Sequence, residues 1–350
     1  MNDEKISRTD LSELGEFGLI DHLLKDITAT NPSTIKAAGD DAAVIDHKDE
    51  ETLVSVDLLV EGVHFDLTYT PLKHLGYKAA VVNFSDIVAM NGTPTQIVVG
   101  IAVSNRFSIE ALDELYAGIK LACQQYHVDL VGGDTTSSKS GLMLSITAIG
   151  KAKSTDIVYR SGASEHDLLC VSGDLGAAYM GLLLLEREKA AFIANPNMQP
   201  DLQGNDYILE RQLKPEARID IIEILRKNDV KPTSMIDISD GLASEILHLC
   251  KESSVGCRIY EEKIPIDIAT VQAAEAFHII PSVAALNGGE DYELLFTIKQ
   301  SDFEKIQAID GIHIIGHITA EKDEAIMISN DGQAITLRAQ GWDALRTNSA

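Results

Sequence analysis

The sequence predicts an α/β protein of two domains, in which short apolar strands alternate with amphipathic helices. Leu53 to Leu59 alternates as a half-buried strand does, and Leu75 to Met90 carries apolar residues at a helical period. Ile97 to Val103 is a continuous apolar run, which is typical of a buried strand. The 350 residues are enough for two domains of about 150 residues each. We expect the division at the polar stretch 151–156, giving residues 1–152 and residues 153–350.

Composition and charge argue against several classes of partner. The net charge of −25 disfavours a nucleic-acid or anionic-membrane surface, since both require a basic face. Residues 1–10 lack the apolar core of a signal peptide, and no apolar run reaches the roughly 18 residues that span a bilayer. The four cysteines show no CxxC spacing, which favours buried, reduced thiols over disulfides or zinc. We therefore expect a cytoplasmic protein that binds neither nucleic acid nor membrane.

Three acidic positions in the first half of the chain have unusual surroundings. Asp41 follows Asp40 after a glycine, and two adjacent carboxylates repel unless a divalent cation lies beside them; a solvated turn is the alternative. Asp57 lies in mid-strand, which its propensity disfavours. Asp86 falls within the apolar stripe of the helix and needs a cation or several donors, unless it caps a neighbouring loop. His64, in the loop after the strand, either contacts a ligand or packs into the loop.

The rest of the chain adds acids at predicted strand ends and turns. Glycines at a strand end let a backbone approach a phosphate, and neighbouring carboxylates can hold the accompanying metal. Gly132-Gly133-Asp134 shows this pattern after a predicted strand at 128–131. Asp237, Ser239 and Asp240 lie together at a predicted strand-to-helix turn, where helix amides and carboxylates can hold a metal–phosphate complex. Arg160 fits either a bidentate contact to a phosphate or an ion pair with a surface carboxylate.

These acids come without paired histidines or clustered cysteines, so zinc and redox metals are not expected. The chain has no GxxxxGK[ST] loop, no protein-kinase motif set and no GxSxG elbow. Hard oxygen ligands beside glycine turns instead indicate magnesium–nucleotide chemistry. Residue chemistry alone therefore predicts a magnesium-dependent, phosphate-handling α/β protein.

Seven motifs, in order along nearly the whole chain, resemble the thiamine-monophosphate kinase family. They are GDDAAV (39–44), SVDLLVEGVHF (55–65), NFSDIVAMNGTP (83–94), GGDTT (132–136), RSGA (160–163), DISDGL (237–242) and GGEDYEL (288–294). The family belongs to the aminoimidazole ribonucleotide synthetase superfamily. The resemblance implies an N-terminal α/β domain whose strands pair across a homodimer, a C-terminal α/β domain, and ATP in the cleft between them. It also implies conversion of thiamine monophosphate and ATP to thiamine diphosphate and ADP, with several Mg²⁺ ions and no phosphoenzyme.

The resemblance further implies a role for each matching residue. The implied Mg²⁺ ligands are Asp41, Asp57, Asp86, Asp134, Asp237 and Asp240, assisted by Ser55 and by the backbone carbonyl of Val56, where the family often has Thr. The implied ATP contacts are Gly133, Asp134, Arg160 and Ser239. The implied contacts to thiamine monophosphate are His64, Glu290 and Trp342. A glutamate and an aromatic ring suit a cationic thiazolium and a flat pyrimidine.

Two kinds of alternative are weighed against this interpretation. Within the superfamily, a selenide-activating enzyme would carry a reactive cysteine near its N-terminus, whereas the first cysteine here is Cys123. A hydrogenase-maturation dehydratase should end in cysteine, whereas this sequence ends at Ala350. The synthetase itself usually has a GVGTK-like segment where this chain has EGVHF at 61–65. A non-catalytic nucleotide- or metal-binding protein is the alternative from another class, and the intact carboxylates at the matched positions disfavour it.

Overall fold

The computed structural model describes residues 34–36, 40, 43–47, 49–104, 106–322 and 324–340. Within them, the first of two sheets has the strand order β1-β2-β3-β6-β4-β5. Its strands are β1 (Thr34–Lys36), β2 (Ala43–His47), β3 (Glu50–Val60), β4 (Thr93–Val103), β5 (Asp129–Ser137) and β6 (Met143–Ala152). Neighbouring strands are antiparallel except β4 and β5, which are parallel.

Two helices cover one face of this sheet, α1 (Leu72–Ala89) and α2 (Ile109–Tyr126). They approach closely because glycines lie where they cross. A Cβ added to Gly76 would lie only 1.9 Å from the carbonyl oxygen of Leu115. The helix predicted from Leu75 to Met90 is confirmed as α1. It begins three residues before its apolar pattern because its first turn faces solvent.

Strand β3 presents two different faces. Leu53 and Ser55 are buried beneath the helices, whereas the side chains of Val56 and Leu58 are 60% and 50% exposed. Because side chains alternate along a strand, Asp57 shares the helix side with Ser55. No described residue buries Val56 or Leu58, and we call their side of the sheet the open face.

The Gly132-Gly133-Asp134 segment does not end a strand, and that prediction is wrong. β5 contains the whole segment and forms the edge of the first sheet, where all its residues except Leu130 are exposed. A Cβ added to Gly133 would lie 2.2 Å from the carbonyl oxygen of Val99. Glycine is therefore required here for the pairing of β5 with β4 and not for a turn.

The second sheet has the strand order β13-β12-β9-β11-β7-β10-β8. Its strands are β7 (Leu168–Ser172), β8 (Ser234–Asp237), β9 (Gly256–Tyr260), β10 (Leu294–Ile298), β11 (Ile312–Thr319), β12 (Ala325–Ile328) and β13 (Ala334–Thr336). The accompanying helices are α3 (Ala177–Ala194), α4 (Asp206–Leu213), α5 (Ile219–Lys227), α6 (Leu242–Ser253), α7 (Ile268–Ala276), α8 (Pro281–Asn287) and α9 (Phe303–Ile306). The mixed α/β fold class is thus confirmed.

One hydrophobic core joins the two sheets through α1. Val81 and Phe84 of this helix belong to the same buried cluster as Met235 of β8 and Phe296 of β10. Because apolar burial is the main favourable term in folding, this cluster fixes α1 against both sheets. Polar side chains on α1 can therefore reach elements of either sheet.

Two predictions from composition can be compared with the structure. Cys123, Cys170, Cys250 and Cys257 are buried free thiols, as predicted. By itself, none of the described helices has the length and apolar character needed to cross a membrane, although Ile268–Ala276 and Pro281–Asn287, bent by 104°, would qualify as a pair.

Candidate active site

Two loops of the second sheet lie side by side and carry two of the motifs. Asp237, at the end of β8, pairs with Leu294, at the start of β10. The loop before β10 therefore runs next to the loop after β8, and the amide of Glu290 donates to the carbonyl of Ser239 at 2.7 Å. A Cβ added to Gly289 would lie 2.5 Å from that same carbonyl oxygen. The DISDGL and GGEDYEL motifs thus form one unit.

Strand β3 and helix α1 supply acids from the first sheet. The hydroxyl of Ser55 donates to the Asp86 carboxylate. The backbone amide of Asp57 donates to Oδ1 of Asn83 at 3.0 Å. Burial raises the pKa of Asp57 to about 6, since a low-dielectric environment disfavours the charged carboxylate. The sequence placed Asp86 on the inward stripe of its helix and Asp57 on the same face of its strand as Ser55, and the structure joins the two elements through the hydrogen bond between Ser55 and Asp86.

Helix α1 also reaches the second sheet. The hydroxyl of Ser85 donates to Oδ2 of Asp237 at 2.5 Å. Ser85 and Asp86 are adjacent, so a single turn of α1 contacts an acid of β8 on one side and Ser55 of β3 on the other. This turn is the link between the two sheets at the site.

Tyr292 lies in the loop before β10, beside the loop that follows β8. Desolvation raises the pKa of its phenol well above the usual value, and nearby carboxylates raise it further. Those carboxylates belong to Glu290, Asp57, Asp237 and Asp240. The amide of Tyr292 donates to the carbonyl of Ile238 at 2.9 Å, so Tyr292 belongs to the same pair of loops as Asp237 and Asp240. We call Asp57, Asp86, Asp237 and Asp240 the acidic cluster.

Glu245 holds the loop after β8, and the sequence analysis did not identify it. Its Oε1 accepts hydrogen bonds from the amide of Ser239 at 3.1 Å and from the amide of Asp240 at 2.8 Å. Burial, and then the charges of Asp240 and Asp237, raises the pKa of Glu245 well above its usual value. Its six-residue separation from Ser239 differs from a capping box, so the sequence carried no clear signal for this contact.

The opening GDDAAV motif meets the RSGA motif. The amide of Arg160 donates to Oδ1 of Asp40 at 3.0 Å, and its Nε lies 3.9 Å from the same oxygen. Arg160 therefore pairs with a buried carboxylate of another motif and not with the surface carboxylate that the sequence analysis considered. Its contact to a phosphate stays a prediction. Asp41 lies outside the described residues.

Asp134 and Gly133 are not brought to the acidic cluster. The register across the sheet aligns Asp57 with Ile146, Val99 and Gly133, so Gly133 lies three strands away. Asp134 aligns instead with Gly100, Ser145 and Leu58. Paired residues share a face, so Asp134 lies on the side of Leu58, opposite to Asp57.

His64, Val56 and Trp342 differ in how far the structure describes them. His64 is exposed in the loop after β3, and its Nδ1 accepts from the amide of Val60 at 3.1 Å. The imidazole thus supports the loop by this hydrogen bond, and its exposed ring is also open to a ligand, so both interpretations stay open. The side chain of Val56 points to the open face, so only its backbone can serve the site. Trp342 lies outside the described residues, whose last residue, Gln340, donates its amide to Oδ1 of Asn287 at 3.2 Å.

Glu290 has two partners that the sequence analysis missed. Oε2 of Glu290 accepts from Nζ of Lys78 at 3.0 Å and from Nε2 of Gln212 at 2.9 Å. Lys78 lies on α1 and Gln212 on α4, so the carboxylate joins three elements. One signal was present, because Lys78 interrupts an apolar stretch of α1 with no acid four residues away on either side.

A buried ionic network supports the same loop from behind. Both carboxylate oxygens of Asp291 accept from the amide of Gly176, at 3.1 and 2.9 Å, beside the start of α3. The carboxylate of Glu293 binds Arg211 at 2.9 Å and also contacts Arg218. Burial raises the pKa of Asp291 to about 7. Acids on either side of Tyr292 are therefore anchored to helices.

The described part of the chain contains no group of three or more His, Cys, Asp or Glu positioned to hold a metal ion. The acidic cluster and Ser55 nevertheless offer only oxygen donors. Mg²⁺ prefers such donors, and it commonly uses one or two protein carboxylates while water and substrate phosphates complete its shell. Burial is also the cause of the raised pKa of Asp57, and a nearby cation would lower it. The donor set therefore fits Mg²⁺ bound together with a phosphate ligand.

Comparison with known proteins agrees with the family resemblance found in the sequence, and it covers nearly the whole chain. Residues 39–152 match the family model described as AIR synthase related protein, N-terminal domain. The chain is 32% identical over 336 residues to the thiamine-monophosphate kinase of Bacillus subtilis (strain 168), covering 94% of this chain and 99% of that protein. A solved structure described as AaThiL complexed with AMPPCP and TMP has a TM-score of 0.83 and 30% identity, covering 96% of this chain and 99% of that chain.

Hydrogenase maturation protein HypE shares the fold at a TM-score of 0.67, with 16% identity over 91% of this chain and 96% of that chain. The chain therefore has an AIR synthase-related N-terminal domain at residues 39–152. At the identity and coverage found with the Bacillus subtilis protein, the chain belongs to the thiamine-monophosphate kinase family.

Proposed function

We propose that this protein transfers the γ-phosphoryl group of ATP to the phosphate of thiamine monophosphate, giving thiamine diphosphate and ADP. The observation that carries the proposal is that adjacent residues of α1 bind Asp237 of β8 and Ser55 of β3, which brings acids of both sheets to one turn at motifs shared with the family. An oxygen of the acceptor phosphate attacks the γ-phosphorus while the bond to the ADP oxygen breaks. The acceptor phosphate is anionic near neutral pH, so the transfer needs neither a strong general base nor a covalent phosphoenzyme.

The obstacle to this reaction is electrostatic, because two polyanions must meet beside several carboxylates. Asp57, Asp86, Asp237 and Asp240, with Asp41, Ser55 and the carbonyl of Val56, would hold Mg²⁺ ions. Asp134, on the open face, would join them only where a second copy brings it to this site. Mg²⁺ would neutralise phosphate charge and favour in-line transfer. Ser85 and Glu245 keep the acids in place by their hydrogen bonds to Asp237 and to the loop at 239–240.

The remaining site residues divide between the two substrates. Gly133, Asp134, Arg160 and Ser239 would contact ATP. His64, Glu290 and Trp342 would contact thiamine monophosphate, with the carboxylate of Glu290 facing the cationic part of the molecule. Glu290 is fixed beside Ser239 by a backbone hydrogen bond of 2.7 Å, which supports adjacent sites for donor and acceptor.

We further propose a cytoplasmic homodimer of chains that each divide into residues 1–152 and 153–350. The open face supports the dimer, because Val56 and Leu58 are exposed apolar residues on it. Contiguous exposed apolar surface commonly marks an interface. The same face carries Asp134, so a second copy packed there would also change the surroundings of that acid. Light scattering of the purified protein measures the mass in solution, and a monomer would contradict the dimer.

The decisive experiment mixes the purified protein with ATP, Mg²⁺ and thiamine monophosphate and separates the products by chromatography. Equal amounts of thiamine diphosphate and ADP, lost on addition of EDTA, are expected. ATP binding without any product would instead favour a binding protein of the same fold. ADP formed only with a different acceptor would indicate another activity of the superfamily.

A further inference from the structure

Lys78 is a buried cation that forms an ion pair with Glu290 among the described residues. Its side chain is 8% exposed, and burying an ammonium group is costly unless it is paired and hydrogen-bonded. Nζ donates to Oε2 of Glu290 at 3.0 Å and to the backbone carbonyl of Gln212 at 3.0 Å. Lys78 therefore ties α1 to α4 and to the loop that carries Glu290.

Gln212 reinforces the same carboxylate oxygen. Its Nε2 donates to Oε2 of Glu290 at 2.9 Å, while its own Oε1 is buried and meets no hydrogen-bond donor among the described residues. An unsatisfied buried acceptor costs about 1–3 kcal/mol. Reversing the amide would point Oε1 at a carboxylate, so the contact with Glu290 dictates the orientation of Gln212.

The two donors approach only one oxygen of Glu290. Oε2 accepts from both Lys78 and Gln212, and the Glu290 side chain is 32% exposed. The backbone is fixed as well, since Glu290 adopts φ of +59° and its amide donates to Ser239. A carboxylate restrained at Oε2 and at its backbone presents Oε1 in a fixed direction.

We propose that Lys78 and Gln212 are positioning residues that hold the Glu290 carboxylate in the orientation that recognises the cationic, amino-bearing acceptor. This inference rests on the proposed function, in which Glu290 contacts thiamine monophosphate. Lys78 also offsets part of the charge of Glu290, so the carboxylate stays a directed hydrogen-bond acceptor and does not become a nonspecific site for cations.

The test is a steady-state comparison of Lys78→Met with Lys73→Met, which changes an exposed lysine on the same helix. Losing a charge-assisted hydrogen bond should raise KM for thiamine monophosphate by roughly 10- to 100-fold. KM for ATP should change less than about twofold, because Lys78→Met removes no contact that the proposal assigns to ATP. Lys73→Met should leave both values unchanged. If Lys78→Met does not fold, Gln212→Met removes only the second donor and should shift the same KM by a smaller factor.

A double-mutant cycle separates positioning from a purely structural role. If Lys78 acts through Glu290, Lys78→Met should have little further effect on KM for thiamine monophosphate when added to Glu290→Gln. Additive effects, or equal rises in both KM values, would overturn the inference. A lower melting temperature with an unchanged ratio of the two KM values would also overturn it and reduce Lys78 to a link between helices.

Calorimetric titration with thiamine monophosphate distinguishes failure of the inference from failure of the proposed function. Turnover by the wild type with unchanged KM in Lys78→Met and Gln212→Met would overturn the inference alone. Wild-type protein that binds thiamine monophosphate without turnover, and binds it more weakly after Lys78→Met, would support the inference while contradicting the kinase. Wild-type protein that neither binds nor converts thiamine monophosphate would overturn both.

Discussion

Two segments of this protein share the pattern Gly-Gly-acid but have different structures. Gly132-Gly133-Asp134 is extended within β5, at an exposed edge of the first sheet. Gly288-Gly289-Glu290 is a tight turn in which Gly289 has φ of +74° and Glu290 has φ of +59°. The first segment presents its acid to the open face, whereas the second presents its acid next to Ser239.

The neighbouring residues explain this difference. β-branched residues flank the first glycine pair, with Val131 before it and Thr135 after Asp134, and such residues favour an extended strand. The second pair follows directly on α8, so the chain must reverse before β10 begins. Paired glycines indicate backbone freedom only, and the flanking elements decide whether it serves close strand pairing or a left-handed turn.

Asp57 and Asp134 offer the largest contrast in activity, because one predicted Mg²⁺ ligand is beneath α1 and the other is exposed. We expect Asp57→Asn to lower kcat by roughly 1,000-fold, since it removes charge where phosphoryl transfer must be stabilised. Asp134→Asn should cause a smaller loss, seen mainly as a higher KM for ATP. Product formation by chromatography measures both, and melting temperatures confirm that the variants fold.

Two outcomes would change this interpretation. Turnover at the wild-type level in Asp57→Asn would remove the acidic cluster from the mechanism. A loss in Asp134→Asn as large as that in Asp57→Asn would mean that the edge strand meets an active site in the working enzyme. A second copy packed on the open face would then become the first explanation to examine.

Glycine substitutions compare the stability of the same two segments. Gly289→Ala should destabilise the protein by about 2–4 kcal/mol, because it combines a left-handed conformation with a backbone clash. The clash follows from the 2.5 Å between the added Cβ and the carbonyl oxygen of Ser239. A Cβ added to Gly132 has no atom within 4 Å, so Gly132→Ala should change the free energy of unfolding by less than about 0.5 kcal/mol. Urea unfolding measures both, and equal effects would contradict the assigned difference.

The sequence predicted those parts of the site that local periodicity controls. The period of β3 placed Ser55 and Asp57 on one side, and the period of α1 placed Asp86 inward. The structure joins these two patterns through the hydrogen bond between Ser55 and Asp86. Motif order along the chain also predicted the α/β class and the family correctly.

The sequence could not predict contacts between residues far apart in the chain. Lys78 and Glu290 are 212 positions apart, and Ser85 and Asp237 are 152 apart. Each contact depends on how α1 packs between the sheets, which is set by a core contributed by the whole chain. The error at Gly133 has a related cause, because only the approach of β4 shows why glycine is needed there.

The last contrast concerns Asp291, which follows Glu290 in the buried turn and has no acidic counterpart in the exposed segment. Its folded pKa is raised by burial to about 7 from an ordinary 3.8. Between these values the folded protein holds a proton that the unfolded chain releases, so stability should fall as pH rises from about 4 to 7.

Asn at position 291 keeps an acceptor for the amide of Gly176 and removes the titration. In metal-free buffer, Asp291→Asn should reduce this decline by up to about 1.4 kcal/mol per pH unit, while the raised pKa of Asp57 leaves part of it in place. Urea unfolding at several pH values measures the slope, and identical slopes in the two proteins would show that Asp291 is ionised throughout.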